Sequence, residues 1–392
     1  MCAYILVVDN LYGLYCLCLA LPEFIFDYIV QLMFGSYLPL SIEGLINCET
    51  YNKVCFDHVG KKAVKVERAH QKEQHANSTS RAWLRVRYEG DEEDTLVLAK
   101  CQAINIFVRA IMSLFNVYRN ELLAYEQIDL PIPTSKVHGL KYTRSRFVLV
   151  LEDLSTKQVE FPNIWSKHVD FELGSRVLAA LAKIHAKYWN DCPKGVWNEQ
   201  NRPYQGLGMG MFTLWRVERI CKKDLFSPLM HETFMQALWH WMDYRRYLSA
   251  SQPKTLCHGD THMGNFYIEK DGTIGAIDFQ VLSEENPIRD VTYFLSSSYD
   301  ADLLAKDEKK LLAFYLSELK ANGVKDVMSL DEAYYAYRMQ LFYALYAFVF
   351  SGGFANLMDH VQTECGVERI LKVMQRVDSI GAFYEMLDGR VQ

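Results

Sequence analysis

One stretch constrains this chain more than any other: His258-Gly-Asp-Thr-His-Met-Gly-Asn265, followed by Ile277-Asp-Phe-Gln280. It sets Asp260 and Asn265 five positions apart and adds a second carboxylate, Asp278, after a short interval of strand-like sequence. Within that interval Asp271-Gly272 separates Tyr267-Ile268 from Ile274-Gly-Ala-Ile277. An Asp-Gly pair between two short apolar runs is a hairpin signal. The hairpin is expected to fold the chain back on itself and bring Asn265 and Asp278 to one end together. Hard oxygen donors gathered in that way suit a divalent cation.

The spacing is that of phosphoryl-transfer chemistry. In the catalytic loop H-R-D-x-x-x-x-N the Asp accepts the proton of a substrate hydroxyl and the Asn holds magnesium, while a later D-F-G Asp grips metal between the nucleotide phosphates. Asp260, Asn265 and Asp278 fill those three positions. Such a transfer needs little covalent help, so the protein mainly positions the reactants and neutralises charge. Upstream, Thr95-Leu-Val-Leu-Ala-Lys100 is an apolar, β-rich run ending in a lysine, like the V-A-I-K strand whose Lys reaches the α- and β-phosphates. Phe115, Tyr118, Leu122 and Tyr125 then recur at helical intervals, with Glu121 on the same stripe. Glu121 is expected to pair with Lys100, because a buried carboxylate needs a partner and a phosphate-gripping lysine needs orienting.

On these residues the chain resembles the CHK-kinase-like, or ecdysteroid-kinase-like, branch of the aminoglycoside phosphotransferase and choline kinase superfamily. Val148-Leu-Val-Leu-Glu-Asp-Leu-Ser155 is similar to that family's hinge, and Leu181-Ala-Lys-Ile-His-Ala-Lys-Tyr-Trp189 to its LA-x-x-HA-x-x-W helix. Ile288-Arg-Asp-Val-Thr-Tyr-Phe294 is similar to the helix start that follows the metal Asp. The resemblance implies an α+β, two-lobed, protein-kinase-like fold. A small β-rich N-lobe would span 53–152 and a large, mainly helical C-lobe 153–392, with an apolar extension over 1–52. It also implies ATP and Mg2+ as cofactors and a small-molecule hydroxyl as acceptor. Asp260 would be catalytic, Lys100, Glu121 and Glu152 would serve the nucleotide, and Asn265 and Asp278 both nucleotide and metal. His185, in an apolar helical pattern, reads as a core histidine, and His258 as a brace for the loop. Asp290 is expected to cap or anchor a helix beginning near Val291. His262 lies inside the loop, within reach of a substrate.

The chain has no G-x-G-x-x-G. The polar stretch 69–80 lies between the β-like segments Ala63–Arg68 and Ala82–Tyr88 and is placed to cover phosphates, with hydroxyls and amides around Asn77–Ser80 as contacts. A polar loop between strands is also the default expectation. From Asn190 to Pro253 the chain is rich in aromatics, namely Trp197, Tyr204, Phe212, Trp215, Trp239, Trp241, Tyr244 and Tyr247. The resemblance implies that rings from this insertion and from 334–350 line the acceptor pocket.

The first 52 residues contain no Lys or Arg. Ala3 to Leu21 is apolar apart from Asp9 and Asn10 and approaches the length of a membrane span. It lacks the positive flanks of a signal peptide or spanning helix, and Pro22 ends it. Glu23, Asp27 and Gln31 then recur four apart, as on one face of an amphipathic helix. Packing against the small lobe or a partner is expected here in preference to membrane insertion. A net charge of -6, from 42 basic and 48 acidic residues, argues against a nucleic-acid partner. Ten cysteines without a C-x-x-C pair point to a reduced, cytoplasmic setting.

Two other classes use similar residues. A protein kinase needs an activation segment and an A-P-E anchor, yet only eleven residues separate Asp278 from Asp290 and no A-P-E follows. A catalytically inactive pseudokinase, serving as a nucleotide-binding or scaffold module, would typically have lost the base, the metal ligands or the lysine. All of them are present.

Overall fold

The computed structural model describes residues 18, 21–34, 38–69, 74–76, 78–162, 169–196, 226–239, 244, 247, 253–353 and 360–389. Asn77, most of the apolar extension before residue 21, and Trp197, Tyr204, Phe212, Trp215 and Trp241 lie outside them. The chain divides into two compact units, a β-rich one over Leu17–Ile128 and Thr134–Val159, and a mainly helical one whose described residues fall in Asp129–Pro133 and after Glu160. The class is α+β, with the β-rich and helical parts in the order the sequence implies. Among the described residues no helix is long and apolar enough to cross a membrane.

The β-rich unit opens with helix α1 (21–33), then α2 (Ile42–Leu45) and α3 (Cys48–Val59). Asn47 caps α3 by accepting from the amides of Glu49 and Thr50, and Gly60 ends it in the left-handed conformation that glycine adopts without strain. Strands β1 (Ala63–Arg68), β2 (Gln74–Ala76), β3 (Thr79–Tyr88) and β4 (Thr95–Gln102) follow, then helices α4 (Ile106–Leu114) and α5 (Val117–Gln127), and strands β5 (Val137–Tyr142) and β6 (Phe147–Glu152). The strands form one antiparallel sheet in the order β1-β3-β4-β6-β5, with β2 also pairing β3. β3 starts before the expected Ala82 and takes Thr79 and Ser80 into the sheet opposite Gln102 and Cys101, both buried. Pairing with β4 overrides the polar character that made them look like loop.

Side chains on a strand alternate between faces. Val97, Ala99 and Cys101 join Leu84, Val86, Val148 and Val150 in a core with Ile42, Leu45, Tyr51 and Val54 of α2 and α3. That alternation leaves Lys100 to the opposite face. α3 crosses β5 so closely that a Cβ on Gly139 would lie 2.6 Å from Cys55 Sγ and 2.8 Å from its Cα.

Helix α1 is seated through Phe24, 4% exposed, and through Asp27. Asp27 Oδ2 accepts from Thr143 Oγ1 (3.1 Å), the Ser145 amide (2.8 Å) and Ser145 Oγ (2.5 Å), and Glu23 pairs with Arg144 at 3.5 Å. Ile25, Phe26, Leu32 and Met33 are exposed.

The helical unit contains α6 (Phe171–Lys187), α7 (Pro228–Trp239), strands β7 (Thr255–Cys257), β8 (Phe266–Ile268), β9 (Ile274–Ala276) and β10 (Ser283–Glu285), then α8 (Ile288–Ser298), α9 (Ala301–Ala321), α10 (Leu330–Gly353), α11 (His360–Arg376) and α12 (Ser379–Leu387). β8 pairs β9 and β7 pairs β10, each as a two-stranded antiparallel ribbon. α8 is the central element, with every residue from Ile288 to Ser298 buried. A helix enclosed on all sides must satisfy its polar groups internally. Ser296 and Ser297 do so by donating to the carbonyls of Thr292 (2.8 Å) and Tyr293 (2.6 Å). Tyr244 belongs to this core as well, its hydroxyl donating to the Met339 carbonyl at 2.7 Å.

The contact of α3 with β5 yields a test. Gly139→Ala forces a methyl against the Cys55 backbone and is expected to cost about 1–3 kcal/mol by overpacking. Urea denaturation followed by circular dichroism measures it, and an unchanged midpoint would contradict the packing.

Candidate active site

In the β-rich unit, β4 carries Lys100 and α5 carries Glu121. Their side chains are 5% and 0% exposed, and Lys100 Nζ lies 2.5 Å from Glu121 Oε1. The pairing expected from spacing is therefore present. α5 is held in register one turn earlier, where the Tyr118 hydroxyl donates to the Ser78 carbonyl (2.9 Å) and accepts from the Ala103 amide (3.0 Å). Its ring stacks on Phe147 of β6 at 4.4 Å. Phe115 belongs to the end of α4 instead, because Asn116 takes a left-handed φ of 55° and breaks the helix before α5. Glu152 closes β6, and its carboxylate pairs with Lys157 at 2.8 Å.

In the helical unit, β7 leads into the loop 258–265. Gly259 has a φ of 84°, and a Cβ there would lie 2.3 Å from the Val281 carbonyl oxygen, so both conformation and space demand glycine. His258 accepts from the Asp260 amide at Nδ1 (3.3 Å) and bonds the Ile277 carbonyl through Nε2 (2.9 Å). One acceptor and one donor nitrogen describe a neutral imidazole with its proton on Nε2. That ring braces the loop against the strand end preceding Asp278, the bracing role its sequence position suggests.

The hairpin forms as expected. Phe266 pairs Ala276, and the Ile277 amide donates to the Asn265 carbonyl at 2.9 Å, so the two ends meet one residue before Asp278. Asn265 Nδ2 donates to the Asp260 carbonyl (2.7 Å) and to Asp260 Oδ2 (3.1 Å). With its amide nitrogen committed twice, Asn265 keeps Oδ1 as its remaining side-chain acceptor. Asp278 occupies a left-handed φ of 65°, rare for a residue other than glycine. His262 Nε2 lies 3.7 Å from Asp260 Oδ2. An Asn oxygen and a carboxylate at the end of one hairpin opposite its turn are the hard donors that Mg2+ takes.

Asp290 departs from expectation. α8 begins at Ile288, not near Val291, because Pro287 and Asn286 start it, with Asn286 Oδ1 accepting from the Ile288 amide at 3.0 Å. The Asp290 carboxylate caps nothing on its own helix. It reaches back to the loop and accepts from the amides of His258 (2.7 Å) and Gly259 (2.9 Å), and it bonds His185 Nε2 at 3.3 Å. His185 is a core histidine as expected, with Nδ1 on the Tyr315 hydroxyl at 2.7 Å. Burial pushes the Asp290 carboxyl up, but the His185 hydrogen bond and charge, with the Gly259 amide, outweigh it and hold the group below its ordinary value. Cys257 stands beside His185 and Asp290 in a buried trio with metal-ligand spacing. Its thiol points at the carbonyls of Glu285 and Asn286 (3.7 and 3.6 Å), and burial drives its pKa well up, so the trio is a hydrogen-bonded core cluster.

Tyr343, within the 334–350 stretch whose rings were expected to line an acceptor pocket, is buried against the loop instead: its hydroxyl donates to the Gly259 carbonyl at 3.2 Å while the Arg289 guanidinium lies 3.8 Å over its ring. One tyrosine in an apolar helix carries no signal that separates it from ordinary core.

The Asp290 bonds predict a pH-dependent stability. Asp290→Ala strands two loop amides and is expected to cost about 3–5 kcal/mol at pH 7. A depressed carboxyl contributes stability that is fully present above the unfolded-state value of about 4 and is lost as pH falls through the folded one. The gap in urea midpoint between wild type and Asp290→Asn should therefore shrink from pH 7 to pH 3. A gap that stays constant would remove the ionised carboxylate from the account.

Comparison with known proteins adds a family match and a set of distant structures. No curated protein matches the sequence. The choline kinase LicA from Streptococcus pneumoniae is 13% identical over 86% of this chain and 98% of its own, with a TM-score of 0.47. Plasmodium vivax ethanolamine kinase is 11% identical over 83% of this chain and 81% of its own, with a TM-score of 0.41. The aminoglycoside phosphotransferase APH(4)-Ia, in a complex with ADP and hygromycin B, is 12% identical over 83% and 96%, with a TM-score of 0.42. The model of the ecdysteroid kinase-like family matches residues 215–326, a span that contains the loop, the hairpin and α8. Those residues carry the signature of the family that the sequence resembles.

Proposed function

We propose that this protein is a phosphotransferase that moves the γ-phosphoryl group of ATP to a hydroxyl of a small molecule. The observation that carries the reading is the state of Asn265. Its side-chain nitrogen is fixed on Asp260 while its main chain closes the hairpin ahead of Asp278, so one residue ties the base to both metal ligands.

When bound, Mg2+ would neutralise charge on the phosphates and ATP would supply the transferable group. Asn265 Oδ1 and the Asp278 carboxylate are the protein oxygens that hold the metal. Asp260, its side chain 35% exposed beside these ligands, orients the acceptor hydroxyl and takes its proton. Lys100 serves the phosphates, and Glu121 orients its ammonium. The buried pair supports this role on energetic grounds: an apolar pair of similar volume would be as stable or more so, whereas phosphate binding requires the cation. The family match over 215–326 supports the same reaction class.

Asp260→Asn keeps shape and hydrogen bonding but removes the base. Turnover of ATP with an accepted alcohol is expected to fall about 10²- to 10⁴-fold while the thermal shift produced by Mg-ATP stays near wild type. Undiminished turnover would remove Asp260 from the mechanism. Asp278→Asn should do the reverse to binding, since asparagine tolerates the left-handed backbone but brings no charge to the metal. Its melting temperature should no longer rise with ATP plus Mg2+, and chelation with EDTA should bring the wild type to the same behaviour. A wild-type protein that is folded yet shows no shift at millimolar ATP would leave a nucleotide-free scaffold as the better description.

A further inference from the structure

Helix α6 borders a cavity that the catalytic loop does not use. Arg176, Ala179, Ala180 and Lys183 recur at intervals of three and four, so they share one stripe of the helix. The alanines between the two cations take up little room. Pro131, Ile132 and Pro133, from the segment that follows α5, and Ile274 of β9 complete the walls, and the space they leave is about 220 Å³. A dry cavity of about 150 Å³ holds benzene, whereas sites for drug-sized ligands begin near roughly 300 Å³. The volume here suits one ring with a small group attached. The cavity touches the hairpin at Gly272 and Thr273, its turn, while Asn265 and Asp278 belong to the other end. Strands of three residues, at about 3.3 Å each, set the two ends about 10 Å apart.

The charges of this stripe are not balanced by acids. Arg176 is half-buried and donates through Nε (3.1 Å) and Nη2 to the Gly272 carbonyl, a neutral acceptor. Asp271, beside that glycine, spends its carboxylate on the Thr273 amide at 2.8 Å. Lys183 is exposed, and among the described residues it makes no hydrogen bond or ion pair, nor does Arg176 pair with a carboxylate. We propose that the cavity binds a small ring compound carrying one acid group, a carboxylate or a phosphate or sulfate ester. The ring lies against Ala179, Ala180 and the proline segment, and the acid group lies between Arg176 and Lys183. A guanidinium carries more N–H donors than the two that Gly272 takes, and its planar fork suits an oxyanion. Charge-assisted bonds of this kind fix one end of the ligand while the apolar walls cover the other. The site lies outside the phosphotransferase reading and does not depend on it.

Phenyl phosphate is the probe, titrated calorimetrically into the full chain with Mg-ATP present. It should bind at one site. Phenol and inorganic phosphate, which each supply half of the ligand, should bind at least about tenfold more weakly, because each forfeits either the charged bonds or the apolar contact. Equal binding of phenol would overturn the need for an acid, and equal binding of inorganic phosphate the need for a ring. Lys183→Gln should weaken phenyl phosphate about tenfold, the worth of one hydrogen bond to a charged group, and Ala179→Phe should abolish binding by filling the space. Should Ala179→Phe fail to fold, Lys183→Gln decides alone, since that side chain bonds nothing among the described residues. Absence of binding to the wild type, unchanged affinity in Lys183→Gln, or displacement of the probe by Mg-ATP would each overturn the proposal. Neither variant touches the catalytic loop, so the thermal shift with Mg-ATP should match that of the wild type whether or not such a shift exists.

Discussion

The loop depends on a single buried charge. A carboxylate removed from water is tolerated only where donors surround it. Asp290 meets that demand with two backbone amides and an imidazole, and the amides are those of His258 and Gly259. Satisfying the charge and fixing the path of the loop are thus the same event. The helix that carries Asp290 is enclosed along its whole length, so the anchor inherits the rigidity of the core. Asp260 follows directly in sequence and stands where the core places it, although its own side chain reaches solvent.

The same economy appears on the other side of the loop. His258 uses one ring nitrogen for the Asp260 amide and the other for the Ile277 carbonyl, which fixes its tautomer without any charged partner. Through Ile277 the ring also sets the end of the hairpin that Asn265 begins. Two short strands of three residues would be marginal alone. They are held by the isolated bridge of Ile268 with Glu160 and by the Ala276 amide on the Pro133 carbonyl. Loop, hairpin and α8 therefore form one hydrogen-bonded body, with the polar atoms of Asn265 and Asp278 at its rim.

What the sequence made legible was local. The hairpin followed from Asp271-Gly272 between apolar pairs, the Lys100 strand from its β-branched and leucine-rich run, and the Lys100–Glu121 pair from helical spacing. The pieces that escaped depend on partners far away in sequence. Nothing around Asp290 indicates that its carboxylate serves amides some thirty residues upstream, and its position near a helix start suggests a cap instead. Thr79 and Ser80 look like loop until β4 pairs with them. Helix 21–33 shows the limit of amphipathic patterns: the sequence separates a polar face from an apolar one, but which face turns inward depends on what the sheet offers. Here Thr143 and Ser145 offer donors to Asp27, which turns in beside the buried Phe24 while Glu23 stays exposed. Glu152, legible as a hinge residue only through the resemblance, spends its carboxylate on Lys157.

The backbone at Asp278 bears on why an aspartate stands there. A left-handed φ of 65° costs a non-glycine residue about 1 kcal/mol or more, and glycine would remove that cost. Asparagine and aspartate tolerate the region better than other side chains, so the conformation alone narrows the choice to three residues. Of these only aspartate brings a full negative charge, and it does so at the end of the hairpin that also carries Asn265. A strained backbone kept with an ionisable side chain, where a neutral one would fit as well or better, is the pattern of a residue retained for its charge. The flanking bonds at Ile277, to His258 on one side and Asn265 on the other, hold the chain on entry to that conformation.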